Sequence, residues 1–273
     1  MKLLIIDGAH HKNEKGLNMI CDYLKIEYKY SRSYLKGYDY MYSSGRNLIN
    51  NIPTIYGPHF SVFPNKKIYS LNKGIYIQPS EWVKELWKDE RIKIPIYSFP
   101  FPVETEKFKP LNNEKKIVLV YYKRRNPKEL EFLKEFLKNK NIEYKLFDYV
   151  NKYREEDYLH SLQNAKYMIV LDAHESQGFA VEEALSCNVP LFVWNVKYLN
   201  QEYGCNYPKV FATSIPYWDE RCGEFFFEKE ELEETFNRFI NKLETYKPRN
   251  YILENLSVEK CAEKFKELLK LAS

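Results

Sequence analysis

Glycine is scarce in this chain, 9 residues in 273, and the 13 prolines follow no fixed period, which excludes collagen-like, low-complexity and linker-dominated architectures. The five cysteines, Cys21, Cys187, Cys205, Cys222 and Cys261, form no C-x-x-C pair and are odd in number. That pattern reads as buried thiols in a reducing compartment, with no disulfide and no metal site expected. No apolar run approaches the length of a membrane span. The opening MKLLIIDGAHHK has a short apolar run ahead of Asp7, which fits a first strand better than a signal peptide. A cytoplasmic protein without a membrane span is therefore expected. Excess charge of one sign is also missing: 42 Lys+Arg against 38 Asp+Glu leaves +4, with the signs interleaved, unlike the footprint of a duplex-DNA binder.

What is abundant is tyrosine. The 24 Tyr, with 17 Phe and 4 Trp, make the chain 16% aromatic. Such rings serve as core, as sugar-stacking platforms or as a nucleobase shelf, and composition does not choose among them. The length fits two compact units or one large α/β unit.

Strand and helix patterns alternate along the chain. Lys2–Ile6 reads as a strand, Gly16–Leu24 as a helix, and Ile26–Ser31, Tyr38–Ser43 and Gly74–Gln78 as further strands. Ser80 heads a helix carrying Trp82, Val83, Leu86 and Trp87 at helical spacing. Prolines 95, 100, 102 and 110 make PIYSFPFPVETEKFKP an extended crossing and the best domain boundary. Beyond it come strands Ile117–Tyr122, Glu143–Phe147, Tyr167–Leu171 and Leu191–Trp194. Helices follow from Pro127, over Glu155–Ala165, from Gly178 to Cys187, around Glu230–Leu243, and after Ser257. Continuous apolar strands between helices argue for a parallel sheet covered on both faces, with ligands at its carboxyl edge.

The stretch LDAHESQGFAVEEALSCNVP, residues 171–190, leaves a strand and opens a helix. The helix start at Gly178, Phe179 and Ala180 offers amides to phosphate or sugar oxygens. Glu175 stands just before the helix, and Glu183 lies inside it. One carboxylate can meet a group at the helix mouth; the other can accept from vicinal hydroxyls along it. The competing reading is a capped helix with two solvated glutamates.

With its E-x7-E spacing, glycine at plus three, Glu-Ala at plus eight and a proline after the helix, this stretch resembles retaining glycosyltransferases of the GT-B fold, family-4 type. IYIQPSEWVKELW and IPIYSFPFPVETEKFKP resemble that family's serine-headed helix and its crossing segment, so the likeness covers residues 75 to 270. It implies an α/β fold of two Rossmann-like domains facing a cleft, the N-terminal one reduced. Residues 1–100 would be the acceptor-side domain, 101–250 the nucleotide-sugar donor domain, and 251–273 a final helix packing back on the first. It also implies that Glu175 contacts donor-sugar hydroxyls, that Glu183 contacts the ribose, and that Gly178, Phe179 and Ala180 bind the diphosphate or sugar. The family's basic G-R-x4-K appears here as Tyr122, Lys123 and Lys128, with Arg124 and Arg125 added. Breaking a sugar–phosphate bond leaves charge that fixed cations stabilise, so Lys123 and Lys128 are candidates and Arg125 a reserve; a solvated KRR loop is the less favoured alternative. Asn188 and Glu104 replace the usual glycine and aspartate.

The first half fits less closely. Gly8 and His10 follow the first strand where a glycine-rich loop belongs, and His59 in GPHF is the preferred contact to the transferred sugar, with Asp7 and His10 as acceptor-side alternatives. Tyr149, after a strand, is expected to border the base. None of the aspartates forms the Asp-x-Asp that holds a divalent cation in GT-A glycosyltransferases. No metal and no cofactor is therefore expected beyond the nucleotide diphosphate sugar itself as co-substrate. The expected activity is transfer of a hexose or deoxyhexose to a glycan hydroxyl with retention. A nucleotide-sugar-binding or scaffold protein without catalysis is the alternative, and a single-stranded nucleic-acid binder a weaker third reading. No nucleic-acid partner is expected.

Overall fold

The structure, a computed structural model, describes residues 1–6, 8, 10–44, 52–58 and 62–273. It divides into two compact units, Met1–Pro102 with Asn255–Ser273, and Val103–Glu254.

The first unit is built on β1 (Lys2–Ile6), β2 (Glu27–Ser31), β3 (Tyr40–Ser43), β4 (Thr54–Tyr56), β5 (Ile75–Gln78) and β6 (Ile96–Ser98), in the order β2-β1-β3-β4-β5-β6. Every pair is parallel. β1 is buried from Leu3 to Ile6, as a sheet covered on both faces requires. Its helices are α1 (His11–Tyr23), α2 (Lys66–Tyr69), α3 (Glu81–Leu86) and, from the far end of the chain, α9 (Val258–Ala272). Cys261, Ala262, Phe265, Leu268 and Leu269 form the buried stripe of α9. The Phe265 ring lies 5.7 Å from that of Phe99.

The second unit carries β7 (Ile117–Lys123), β8 (Tyr144–Asp148), β9 (Ala165–Asp172), β10 (Leu191–Trp194) and β11 (Gly223–Phe226), in the parallel order β11-β10-β9-β7-β8. Its helices are α4 (Pro127–Asn139), α5 (Glu155–Gln163), α6 (Phe179–Ser186), α7 (Leu232–Asn241) and α8 (Pro248–Asn255), the last ending at the boundary between units. Leu130, Leu133 and Leu137 of α4 join Phe192, Phe236 and Phe239 in one aromatic-rich core. β9 and β7 lie at the sheet centre, so their carboxyl ends are presented together.

Both sheets are parallel α/β and Rossmann-like, as the alternating pattern indicates for the second half and the family resemblance implies for the first. The sequence reading expects a strand ahead of His59 without bounds, which is β4, and omits β6 and β11. β6 sits among Pro95 and Pro100 and is tolerated because it is an edge strand, where a missing N–H costs no ladder bond. β4 is three residues long between Pro53 and Gly57. β11 is also an edge strand. The segment 251–273 is not one helix: α8 runs to Asn255, and Ser257 restarts the chain as α9, its Oγ accepting from the Lys260 amide.

Candidate functional site

The second unit's site begins where β7 ends. The strand presents Lys123, and Arg124 then turns left-handed, with φ 53°. Asn126 opens α4 by a capping box: its Oδ1 accepts from the Lys128 amide at 3.0 Å, and Glu129 Oε2 accepts from the Asn126 amide at 3.2 Å. Lys128 therefore stands in the first turn with an exposed side chain.

Arg125 points the other way. It is 1% exposed, and its guanidinium donates from Nε and Nη2 to Glu129 at 2.9 and 2.7 Å. Nη1 donates to the carbonyls of Trp194 at 2.9 Å and Asp172 at 3.3 Å. These bonds tie α4, β9 and β10 together and take Arg125 out of reach of a ligand phosphate. As a reserve for diphosphate contact it is corrected to an architectural residue. The left-handed step at Arg124 breaks strand alternation and buries the arginine.

β9 ends at Asp172, the ladder partner of Lys123. The loop after it is pinned where the Glu175 amide donates to the Thr213 carbonyl at 2.9 Å. Asn195 fixes the 213–215 segment in turn: its Oδ1 accepts from the Ser214 amide and hydroxyl, both at 2.9 Å, and from Thr213 Oγ1 at 3.1 Å. Gly178 then adopts φ 93°, the left-handed region that a side chain resists, and α6 begins at Phe179. Tyr158 donates to the Ala180 carbonyl at 2.7 Å. Glu183 is buried one turn into α6, and the adjoining Glu182 accepts from Gln177 Nε2 at 3.1 and 3.2 Å.

Lys123 and Glu175 form an ion pair, with side chains 14% and 15% exposed. Burial pushes the Glu175 carboxyl up, but Lys123 and a hydrogen bond from Asp172 outweigh it and hold the group below its usual value. Burial likewise disfavours the Lys123 ammonium, and the charge and hydrogen bond of Glu175 oppose it, so the lysine stays charged. The ring of Tyr149 lies 4.7 Å from Lys123 Nζ and is 44% exposed. Phe147, Tyr153, Tyr158 and Tyr121 pack edge-on or tilted, centroids 5.1 to 6.5 Å apart. A cavity of about 310 Å³ opens there, lined by Phe147, Asp148, Asn151 and Tyr153. A larger one, about 670 Å³, lies at the β11 edge, and its Glu224 is taken by Arg238 at 3.0 Å and Lys242 at 3.1 Å.

A second cluster braces the loop. Glu202 accepts from Arg124 Nη1 at 3.1 Å and from Cys205 Sγ at 3.2 Å, and its Oε2 lies 2.6 Å from His174 Nε2. The Tyr203 amide donates to the Arg124 carbonyl at 2.8 Å. Burial lowers the His174 pKa, and Glu202 only partly restores it. Glu202 and Asn195 escape sequence reasoning because their roles arise from contacts between distant segments. Asp172 carried a signal, a carboxylate at the end of an apolar strand.

The structure thus brings Lys123, Lys128, Tyr149, Glu175, Gly178, Phe179, Ala180 and Glu183 to one unit, around the carboxyl ends of β7, β8 and β9. In the first unit, Gly8 is exposed beyond β1, and His10 precedes α1 with its ring 4.3 Å from that of His11. Asp7 and His59 lie outside the described residues. Among the described residues, no group of three or more His, Cys, Asp or Glu is placed to hold a metal ion, and no helix is long and apolar enough to cross a membrane.

No protein-family model matches the sequence, and no curated protein matches it at the level of sequence. Solved structures do match in fold. One is AviGT4, a glycosyltransferase involved in avilamycin A biosynthesis, with TM-score 0.63 and 12% identity over 100% of this chain and 98% of that one. Sucrose-phosphate synthase from Thermosynechococcus elongatus gives 0.62 at 9% identity, covering 99% and 98%. The lipopolysaccharide outer core galactosyltransferase WaaB gives 0.56 at 13% identity, covering both chains fully. The chain has the GT-B fold of these glycosyltransferases.

Proposed function

We propose that the protein is a retaining glycosyltransferase of the family-4 type that moves a hexose or deoxyhexose from a nucleoside diphosphate sugar to a glycan hydroxyl, without a metal ion. The observation that carries this reading is the gathering of Lys123, Lys128, Glu175 and the start of α6 at the carboxyl edge of a parallel sheet, in a fold shared with glycosyltransferases.

In this reading the diphosphate lies over the first turn of α6, at Gly178, Phe179 and Ala180, whose dipole and amides favour an anion. Lys128 and Lys123 stabilise the charge that develops as the anomeric carbon–oxygen bond breaks. Glu175, held ionised by Lys123, accepts from sugar hydroxyls, and Glu183 accepts from the ribose. Tyr149 and the adjoining cavity border the base. The acceptor oxygen bonds to the anomeric carbon on the face the diphosphate leaves, and the acceptor proton passes to a leaving phosphate oxygen. No side-chain base is assigned. Gly8, His10, Asp7 and His59 are the acceptor-side candidates of the first unit, His59 foremost toward the transferred sugar.

Nucleoside diphosphate binding is the direct test. A ligand binding only the native state at 100 times its Kd adds about 2.7 kcal/mol, a rise in Tm of several degrees for a unit of this size. UDP, GDP and ADP are compared at millimolar concentration. One of them raising the Tm supports the reading; no rise with any of the three contradicts it.

A further inference from the structure

The group that the proposed chemistry leaves unused is Asp172. It is 0% exposed, both carboxyl oxygens are enclosed, and no donor reaches either one. A carboxylate so placed would be an isolated buried charge, which proteins avoid by neutralising the group. Its neighbours define what it can do. Across the β7–β9 ladder it is registered with Lys123. Three residues on, Glu175 faces it, and the Glu175 charge together with hydrogen bonding between the two carboxyls favours the protonated form of Asp172, an arrangement two ionised carboxyls could not share. Tyr121 of β7 adds no positive charge, and Arg125 faces the Asp172 carbonyl rather than its carboxyl.

We propose that Asp172 is a positioning residue for this site: as the neutral acid it donates its proton to Glu175, and so fixes the Glu175 carboxylate toward Lys123 and the ligand. The inference rests on the donor-site reading for its consequence, but not for its chemistry. One lysine and two carboxyls can be buried together at no net charge only if they share one proton. Burial raises the Asp172 pKa and, with the Glu175 charge, outweighs the pull of Lys123, whereas Glu175 is paired directly with Lys123 and held low; the shared proton is therefore assigned to Asp172. The carboxylate nearer the ligand is thereby kept ionised and stripped of rotational freedom, while the one behind it contributes a donor and no charge. Loss of that proton at alkaline pH would place a second negative charge behind the diphosphate site.

The experiment reads the proton itself, then its effect. Infrared difference spectra of the ligand-free protein at pH 7 are compared between wild type and Asp172→Asn; a carbonyl stretch of a protonated carboxylic acid, present in wild type and missing in the variant, is expected. If Asp172→Asn fails to fold, Glu175→Gln serves instead: with its carboxylate neighbour gone and Lys123 released, Asp172 should ionise and the same band should vanish at pH 7. In a second arm, UDP affinity is followed from pH 6 to pH 10. Wild type should weaken about tenfold on the alkaline side, the order expected for one nearby charge, while Asp172→Asn stays level and Asp172→Ala is weaker throughout. No acid band lost in either variant overturns the proposal, as does the same alkaline loss in Asp172→Asn. An acid band with no UDP binding at any pH would instead count against the donor reading, since the first arm needs no ligand.

Discussion

Lys123, at the end of β7, and Glu175, in the loop after β9, are joined by an ion pair that bridges two strand ends, with both side chains about 15% exposed. The pair is both a structural bond and the charged centre of the proposed donor site. Removing one partner leaves the other buried. Lys123→Met should cost about 3 kcal/mol, and the double variant Lys123→Met/Glu175→Gln should recover part of it, a coupling that denaturant unfolding of wild type, Lys123→Met, Glu175→Gln and the double variant would measure.

Lys128 and Arg125 should behave in opposite ways. Lys128→Ala removes an exposed side chain and should leave stability within about 0.5 kcal/mol, while weakening nucleoside diphosphate binding. Arg125→Lys breaks a two-pronged grip on Glu129 and the carbonyl bonds to β9 and β10, and should destabilise by about 3 kcal/mol even though the charge is kept. Thermal denaturation alongside UDP titration separates the two.

These two residues also mark where sequence reading stopped. Glu175 and Glu183 are legible because they flank a helix start that follows an apolar strand, in a stretch with the E-x7-E resemblance. Alternation along β7 cannot say that Arg124 turns left-handed and sends Arg125 inward, since that depends on Glu129, Trp194 and Asp172, which meet it only in the fold. Asn195 and Glu202 were invisible for the same reason. The second unit's parallel sheet was legible from its apolar strands; β6 and β11 were not, each being a short strand at a sheet edge.

Gly178→Ala should cost about 1–2 kcal/mol. Its φ of 93° is a conformation that side chains rarely adopt, while the added Cβ would meet Glu175 and Pro216 at an ordinary 3.6 Å. The cost is therefore conformational, and it should shift the entry to α6 and reduce diphosphate affinity as well as Tm.

His174 sets an acid-side dependence. Its pKa is lowered by burial, so below about pH 6.5 the unfolded chain binds the proton before the native one does. Its contribution to stability is present above that pH and lost as pH falls. His174→Gln should flatten the fall in Tm between neutral pH and pH 5, measured against wild type in the same buffers.

Sugar release tests the central claim most directly. UDP-, GDP- and ADP-hexoses are incubated with the protein, with and without a glycan mixture, and the nucleoside diphosphate set free is measured for wild type, Glu175→Ala and Lys128→Ala. The account predicts release from at least one donor, with both variants folded and at least tenfold slower. Tight donor binding with no release over hours, or release that neither substitution slows, would contradict it.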